Sequence, residues 1–239
     1  MESQEKCLII IPAYNEAESI EKVVDNIVQN YPQYDYVIVN DGSTDATGEI
    51  CRKNRYQVLN LPINMGIGGA VQTGYRYARD NDYDMSVQID GDGQHDIAFL
   101  EGMIRHMKEE KADCVIGSRF VKKDGFQSSG LRRTGIRFLS ALGFVLTGVR
   151  IRDITSGYRL VDRKFIQIFA QDYPTDYPEP EAVVIAAVHR GKIKEYPVVM
   201  RERENGTSSI TLKKSVYYMV KVTLAMLIRR LSFGVRRQK

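Results

Sequence analysis

Two aspartates, Asp90 and Asp92, stand two residues apart in a glycine-containing turn near the middle of this 239-residue chain. The apolar residues Met85, Val87 and Ile89 precede them at alternate positions, which predicts a buried strand that ends at the turn. Carboxylates this close repel each other unless a cation neutralises them. Hard oxygen ligands suit Mg²⁺ or Mn²⁺, which take few protein carboxylates and leave positions for the phosphate oxygens of a substrate. The turn therefore predicts a metal site that holds a diphosphate.

Two other interpretations of this turn stay open. A calcium loop of the EF-hand type would require glycine at its sixth position, where His95 stands, and a helix rather than a strand in front of it. A solvated turn of aspartate and glycine that only closes a strand would need no ligand. The motifs elsewhere in the chain supply the context that decides between these interpretations.

Composition bounds the class of protein. Hydrophobic residues make up 43% of the chain, enough for one α/β domain with a full core. The cysteines Cys7, Cys51 and Cys114 lack the spacing of metal ligands or of a disulfide framework, so we expect buried thiols in a reducing compartment. The apolar run 8–11 is too short for a signal sequence and stops at Pro12, so we expect a cytoplasmic protein.

Apolar runs of strand length alternate with segments of helical spacing. Strands are predicted at residues 6–11, 36–39, 56–59, 85–89 and 113–117. Helical segments are predicted at about 20–28, at 70–78 and at 97–108, and a further one follows segment 40–45 and ends at about residue 52. This alternation indicates a parallel sheet wrapped by helices, in which ligands bind beyond the carboxyl ends of the strands. Three polar clusters lie at the carboxyl ends of predicted strands: one follows Ile11, one contains Asp41 and one contains Asp90. We therefore expect one crevice to hold all three clusters.

The glycine-rich segment 66–69 opens the third predicted helix. Its spacing differs from that of a dinucleotide-binding fingerprint. Either its backbone N–H groups approach an anion at the helix N-terminus, or its glycines allow the helix to pack closely on the sheet.

Four segments in order resemble the motifs of inverting GT-A glycosyltransferases of family 2. They are 11–16 (Ile-Pro-Ala-Tyr-Asn-Glu), 40–45 (Asn-Asp-Gly-Ser-Thr-Asp), 64–68 (Asn-x-Gly-x-Gly) and 90–94 (Asp-Gly-Asp-Gly-Gln). Later segments resemble the polyprenyl-phosphate sugar synthases of the dolichol-phosphate mannosyltransferase type, namely 117–120 (Gly-Ser-Arg-Phe), 153–159 (Asp-x-x-Ser-Gly-Tyr-Arg) and 203–208 (Arg-x-x-Gly-x-Ser). The resemblance covers roughly residues 7–210 and implies a Rossmann-like GT-A fold, with a mostly parallel twisted sheet flanked by helices.

The resemblance also implies the donor site. The residues expected to line the base and ribose of a nucleotide-sugar are Pro12, Tyr14, Glu16 and Asp41. The residues expected to hold Mg²⁺ or Mn²⁺ on the diphosphate are Asp90, Asp92 and Gln94. Stabilisation of the departing nucleoside diphosphate would make Asp92 a catalytic residue.

The acceptor site is expected at arginines, because guanidinium groups bind phosphate with two parallel hydrogen bonds. Arg119 is a candidate for both catalysis and acceptor binding. The other candidate acceptor-binding residues are Arg132, Arg133, Asp153, Arg159, Arg203 and Ser208. A solvated basic loop is the alternative for the Arg132 and Arg133 pair. Ser209 stands where a lysine often follows in this family, which is a departure at the acceptor end.

Segment 177–181 (Tyr-Pro-Glu-Pro-Glu) falls about where many family 2 enzymes that glycosylate a hydroxyl carry an acidic general base. A phosphate acceptor is already an anion, whereas a sugar hydroxyl must lose its proton as it attacks. Glu179 or Glu181 is therefore a candidate catalytic base if the acceptor is a hydroxyl. The alternative is a rigid proline turn with an acid in the first turn of a helix, where it suits the helix dipole.

The tail, residues 211–239, carries eight basic and no acidic residues, which leaves the remaining chain with a net charge of −4 out of the total +4. Its uncharged stretches are shorter than the roughly 20 apolar residues of a membrane-crossing helix. We expect a GT-A catalytic domain at 1–210 and a basic amphipathic helix at 211–239 that lies on an anionic membrane surface. A helix packed on the core or in an oligomer is the alternative. Nucleic-acid binding is not expected, since no recognition module is present.

The expected function is metal-dependent, inverting transfer of a sugar from a nucleotide-sugar to a polyprenyl phosphate, by a peripheral enzyme at the cytoplasmic face of the membrane. The alternative acceptor is a hydroxyl of a lipid-linked or cell-wall glycan. A non-catalytic nucleotide-sugar binding protein is disfavoured because both Asp90 and Asp92 are present. A nucleotidyltransferase would need a glycine-rich triphosphate loop with Lys or Arg after Ile11, and none follows. A homo-oligomer or a membrane subunit are possible partners.

Overall fold

The computed structural model of the protein describes residues 5–121, 130–200 and 212–236, and within these ranges the side chains of 130–132, 212–216 and 234–236 are not described. The strands in these ranges are β1 (Cys7–Ala13), β2 (Asp35–Asn40), β3 (Val58–Asn60), β4 (Met85–Gln88), β5 (Cys114–Ser118), β6 (Arg159–Asp162) and β7 (Ile193–Pro197). The α-helices are α1 (Ile20–Asn30), α2 (Thr47–Lys53), α3 (Gly66–Asp80), α4 (Leu100–Glu110), α5 (Gly130–Thr147), α6 (Arg163–Gln171), α7 (Pro178–Val188) and α8 (Leu212–Arg236).

The seven strands form one sheet in the order β3-β2-β1-β4-β6-β5-β7. Strand β6 runs antiparallel to both of its neighbours, β4 and β5, and the other pairs are parallel. The predicted mostly parallel sheet between helices is therefore confirmed. The antiparallel strand β6 was not predicted, because its partner β4 lies about seventy residues earlier in the chain.

Helices cover both faces of the sheet, which explains why all seven residues of β1 are buried. Alternate residues of β1 point to opposite faces. Ile10 belongs to a hydrophobic cluster that includes residues of α3, α6 and α7, whereas Ile9 belongs to a cluster that includes residues of α1 and α4. Gly74 lets α3 approach closely, since a Cβ there would lie 2.3 Å from Cγ2 of Ile10.

The chain reverses its direction of sheet growth between β1 and β4. From β1 it adds β2 and β3 on one side, and it then returns to place β4 on the other side. In open α/β sheets the crevice beyond the carboxyl ends of such a strand pair is the usual ligand site. The loops that follow β1 and β4 are the ones that carry the segments 14–16 and 90–94.

The tail helix α8 packs against α7 and α5. Val222 and Met226 are buried and belong to the hydrophobic core, and the predicted association of the tail with a membrane surface stays a prediction. In the described ranges no helix has the length and apolar character needed to cross a membrane.

Candidate active site

The loops after β1 and β2 are joined by Asn15. Its side-chain oxygen accepts hydrogen bonds from the backbone N–H of Thr44 (2.8 Å) and Asp45 (3.3 Å), and its own N–H donates to Oγ of Ser43 (3.0 Å). Asn15 has a φ of 56°, a left-handed conformation that asparagine tolerates better than most residues. The two motif segments therefore form one connected surface beyond the sheet.

Asp41 connects this surface to the glycine-rich segment. It is 2% exposed, and its carboxylate accepts the backbone N–H of Met65 at 2.7 Å. Gly42 beside it has a φ of 66°, and a Cβ there would lie 2.8 Å from the backbone nitrogen of Asn64. The structure thus gives Asp41 a buried contact with the main chain, and its contact with a nucleotide stays a prediction.

The turn at residues 90–94, which contains Asp90 and Asp92, is called the aspartate turn. A cavity of about 730 Å³ opens between α1 and this turn. Tyr14, Glu16, Asp45 and Asp92 are among the residues that line it. Tyr14 is 46% exposed, which leaves its ring accessible for stacking. Three predicted donor-site residues are therefore brought together at one opening, while Pro12 lies at the end of β1 beneath them.

The aspartate turn is fixed by hydrogen bonds around both carboxylates. Asp90 accepts from the amide of Gln88 (3.2 Å), and Asp92 accepts the backbone N–H of Gln94 (3.0 Å). Gly93 has a φ of 77°, which closes the turn with a conformation that favours glycine. The predicted liganding role of the Gln94 side chain stays a prediction.

His95 stabilises the turn from below, a contribution that the sequence did not reveal. Its Nδ1 accepts the backbone N–H of Asp90 at 3.1 Å, and its ring stacks on Tyr158 with centroids 5.0 Å apart. A neutral ring that accepts at Nδ1 carries its proton at Nε2, which lies 3.7 Å from Oδ2 of Asp90. His95 also pairs with Met200 in an isolated antiparallel bridge.

The donor set at the turn fits a hard divalent cation. Within the described ranges, no group of three His, Cys, Asp or Glu side chains is arranged as a complete metal site. Asp90 and Asp92 supply two carboxylates, and Mg²⁺ is commonly held by one or two carboxylates together with substrate phosphates. Oxygen ligands also suit Mn²⁺.

Segment 153–157 connects the aspartate turn to Arg119. A Cβ at Gly157 would lie 3.0 Å from Nε2 of Gln88 and 3.4 Å from Oδ1 of Asp90, so the backbone at Gly157 lies directly beside this carboxylate. Ser156 donates a 2.6 Å hydrogen bond to the carbonyl of Gly117, at the end of β5. Of the late motifs predicted from sequence, 117–120 and 153–159 are therefore assembled beside the aspartate turn.

Arg119 and Asp153 form a buried ion pair at the other end of this segment. Nε and Nη2 of Arg119 donate to the two carboxylate oxygens of Asp153, both at 2.7 Å, and the backbone N–H of Arg119 adds a bond of 3.1 Å. The Asp153 side chain is 0% exposed and that of Arg119 is 9% exposed. This edge of the guanidinium is occupied by Asp153, and binding of an acceptor phosphate by Arg119 stays a prediction.

A second arginine lies close to the first. The guanidinium of Arg133 is 5.7 Å from the ring centroid of Phe120, and that of Arg119 is 5.4 Å from the same centroid. Phe120 thus lies near two guanidinium groups, of which that of Arg119 is already paired with Asp153. The predicted residues Arg203 and Ser208, and the side chain of Arg132, lie outside the described residues.

Arg159 is buried below the site and is 1% exposed. Its Nη2 donates to the backbone carbonyl of Glu179 at 2.9 Å, and among the described residues its Nε has no hydrogen-bond partner. The structure therefore gives Arg159 a contact with the start of α7, and its predicted contact with the acceptor stays a prediction.

The two glutamates at the start of α7 have different surroundings. Glu179 is half-buried, and burial raises its pKa to about 7; the nearby charge of Asp90 acts in the same direction, while Arg159 and Arg119 oppose it. Glu181 instead accepts a 2.9 Å hydrogen bond from Nε of Arg229 in α8. The two candidate bases therefore differ, since the charge of Asp90 acts on Glu179 and Glu181 is paired with Arg229.

The site combines two carboxylates on a hydrogen-bonded turn, an adjacent cavity, and a buried ion pair with a second arginine nearby. The family model of glycosyl transferase family 2 matches residues 8–169 of the chain. The chain belongs to glycosyl transferase family 2, and it is a glycosyltransferase, as the motifs predicted.

Curated relatives extend this likeness over most of the chain. Polyprenol monophosphomannose synthase of Mycolicibacterium smegmatis is 29% identical, over 87% of this chain and 82% of its own length. A dolichyl-phosphate β-glucosyltransferase of Trichomonas vaginalis is 33% identical, over 84% of this chain and 68% of its own. The UDP-N-acetylglucosamine–dolichyl-phosphate N-acetylglucosaminyltransferase of Methanococcus voltae is 30% identical, over 80% of this chain and 83% of its own. The predicted resemblance to polyprenyl-phosphate sugar synthases is confirmed.

Solved structures support the fold. Glucosyl-3-phosphoglycerate synthase from Mycobacterium tuberculosis, in complex with Mn²⁺, UDP-glucose and phosphoglyceric acid, superposes with a TM-score of 0.73. The superposition covers 95% of this chain and 80% of that chain, at 20% sequence identity. At this identity the likeness concerns the fold alone, and the predicted GT-A fold is confirmed.

Proposed function

We propose that the protein transfers a sugar from a nucleotide-sugar to a polyprenyl phosphate, with inversion at the anomeric carbon and with Mg²⁺ or Mn²⁺ bound at the aspartate turn. The names of the three relatives support this acceptor class. Their sugars differ, namely mannose, glucose and N-acetylglucosamine, but each name contains a polyprenol or dolichyl phosphate. The lipid phosphate is therefore the feature that they share.

The observation that carries the proposal is the position of segment 153–157. One end of it, Gly157, lies against Asp90, and the other end, Asp153, holds Arg119. A donor diphosphate at the aspartate turn and a phosphate at the patch of Arg119 and Arg133 would therefore lie on either side of the same short segment. This arrangement suits transfer between two phosphorylated substrates, because fixed cations offset the repulsion between them.

On the donor side, Asp90 and Asp92, with Gln94, would hold the metal, and Tyr14, Glu16, Asp41 and Pro12 would contact the nucleotide. The bound cation would stabilise the negative charge of the departing nucleoside diphosphate. The rigid bonding of the turn supports this role, since both carboxylates are already oriented by Gln88 and by the backbone N–H of Gln94.

In the transfer step, an oxygen of the lipid phosphate forms a bond to the anomeric carbon as the bond between that carbon and the diphosphate oxygen breaks. The electron pair of the broken bond leaves with the nucleoside diphosphate, and attack from the opposite face inverts the configuration. A phosphate dianion has no proton to lose, so this reaction does not require Glu179.

A hydroxyl of a lipid-linked or cell-wall glycan is the second candidate acceptor, and the surroundings of Glu179 favour it. A carboxylate with a pKa of about 7 is well suited to accept a proton near neutral pH. In that reaction Glu179 would take the proton of the attacking hydroxyl, whereas Glu181 is held by Arg229.

The proposed location is the cytoplasmic face of the membrane, as a peripheral protein. The outer face of α8 exposes a row of apolar side chains, Tyr217, Val220, Leu224, Ile228 and Leu231. On neighbouring α5, Phe138 is 52% exposed and Val145 is 78% exposed. Neither helix contains a carboxylate, and both contain several Lys or Arg residues. An apolar surface with basic flanks fits an anionic leaflet.

Vesicle flotation tests the membrane proposal. Leu224→Glu combined with Ile228→Glu should release the protein from vesicles that contain anionic lipid. Val28→Glu, which alters an exposed apolar residue on α1, should leave flotation unchanged. Equal flotation of the wild type and the double variant would contradict the proposal and would point instead to a second copy or a membrane subunit as the partner of this face.

The reaction is tested by release of nucleoside diphosphate from a panel of nucleotide-sugars with Mg²⁺ or Mn²⁺, with and without polyprenyl phosphate. Release that depends on the bare lipid phosphate is expected. Release that requires a glycan-bearing lipid would support the hydroxyl acceptor, and nucleotide-sugar binding without any release would indicate a binding protein.

A further inference from the structure

We propose that Arg229 of the C-terminal helix α8 is a positioning residue of the active site, because it holds both ends of residues 172–181, the segment that borders the donor site. The proposal rests on the proposed function only in naming that site. Three observations carry it: the inner contacts of this segment, its outer contacts with α8, and its backbone conformation.

The inner side of the 172–181 segment contacts the donor site. The carbonyl of Thr175 accepts the N–H of Gly68, in the glycine-rich start of α3, at 3.1 Å. A Cβ at Gly68 would lie 1.9 Å from the carbonyl oxygen of Pro174, so the two backbones are in direct contact. At the other end of the segment, Glu179 is held through its carbonyl by Arg159. The segment thus connects the start of α3 to Glu179.

The outer side of the segment is held by α8. Nη1 of Arg229 lies 2.9 Å from each carboxylate oxygen of Asp172, and Nε of the same guanidinium donates to Glu181 at 2.9 Å. One side chain therefore joins the first and last residues of the segment. Lys221 adds a 2.6 Å ion pair with Asp176, between them.

The backbone of the segment needs such support. Tyr177 has a φ of 48°, a left-handed conformation that is unfavourable for a residue with a bulky side chain. It also precedes Pro178, and the residue before a proline prefers extended backbone. Strained conformations persist where the surroundings hold them. The ring of Tyr177 packs edge-on against Tyr218 of α8, with centroids 4.7 Å apart.

Through these contacts α8 holds the 172–181 segment in position beside the site, in addition to packing in the core. Loss of Arg229 would release both ends of the segment. The contact of the segment with Gly68 would then weaken, and Glu179 would no longer be held in one position. Small displacements of groups that position a substrate can reduce a rate by about tenfold to a hundredfold.

The test compares Arg229→Met with Arg230→Met. The two variants remove the same charge from adjacent positions of α8, but Arg230 donates to the carbonyl of Leu146, whereas Arg229 is the one that pairs with Asp172 and Glu181. Hydrogen exchange read by mass spectrometry needs no substrate. Arg229→Met should lose protection in peptides covering 172–181 and 64–70, with unchanged protection in β1 and β4, and its release of nucleoside diphosphate should fall at least tenfold. Arg230→Met should match the wild type in the exchange of both peptides.

Lys221→Met provides a second variant, which leaves Arg229 in place should Arg229→Met fail to fold. It should reduce protection of the same two peptides to a smaller extent. Unchanged exchange in the 172–181 segment of the variants that fold, or equal losses in Arg229→Met and Arg230→Met, would overturn the proposal. If the wild type transfers no sugar from any donor tested, the proposed function fails, while the exchange comparison still decides the role of Arg229.

Discussion

The buried pair of Arg119 and Asp153 leads to a quantitative prediction. Asp153 is 0% exposed, and it accepts three hydrogen bonds from Arg119, two from the guanidinium and one from the backbone. Asp153→Ala would remove the carboxylate that pairs with the buried guanidinium of Arg119, while Nη2 would keep the longer 3.3 Å hydrogen bond to Oγ1 of Thr155. Breaking a buried pair by removing one partner usually costs about 3–5 kcal/mol. We expect the free energy of unfolding to fall by this amount.

The assay is chemical denaturation together with thermal unfolding. For a chain of this size 1 kcal/mol corresponds to about 2–4 °C, so Tm should fall by about 6–20 °C. Replacing both partners, Arg119→Met with Asp153→Leu, should recover at least half of the loss, because no charge is then left unpaired.

The ion pair of Arg105 and Glu101 provides the control. Its side chains are 67% and 75% exposed, and exposed pairs contribute about 0–1 kcal/mol, so Glu101→Ala should change stability little. A loss below about 1 kcal/mol in Asp153→Ala would refute the reasoning, since it would mean that the guanidinium finds another partner at no cost.

Three further predictions concern the site. Asp92→Asn should abolish turnover stimulated by Mg²⁺ or Mn²⁺ while Tm stays near that of the wild type, and unchanged turnover would exclude Asp92 as a ligand. Arg133→Ala should raise the KM for the lipid phosphate several-fold more than the KM for the nucleotide-sugar, and an equal rise in both would count against a phosphate contact. Because burial raises the pKa of Glu179 to about 7, its contribution to stability is greatest at acidic pH and is lost as the pH rises through 7. Glu179→Gln should therefore gain stability relative to the wild type as the pH rises from 4.5 to about 7, and a difference independent of pH between 4 and 8 would contradict this burial.

The parts of the fold that sequence could predict are those encoded locally. The buried strand before Asp90 and the strand that ends before Asp41 are short apolar runs followed by polar turns, and both patterns are read within about ten residues. Since the carboxyl ends of parallel strands share one edge of a sheet, the pattern of strands and polar turns also predicted that these turns share one crevice. The structure locates Asp41 and Asp90 at this edge.

The parts that sequence could not predict depend on contacts between distant residues. Strand β6 pairs Arg159 with Gln88, and this pairing explains why Arg159 is buried beneath the site. The difference between Glu179 and Glu181 likewise depends on Arg229, which lies 48 residues beyond Glu181 in the chain. The role of His95 in supporting the aspartate turn could not be predicted from its place in the sequence, because that role depends on stacking with the distant residue Tyr158.

The central claim is that the sugar is transferred to a lipid phosphate. Its most direct test is ³¹P NMR of polyprenyl phosphate incubated with the protein, Mg²⁺ or Mn²⁺ and the nucleotide-sugar that it consumes. Conversion of the phosphomonoester resonance to that of a phosphodiester, in step with release of nucleoside diphosphate, is the predicted result. Release of nucleoside diphosphate with an unchanged phosphomonoester resonance would contradict the account.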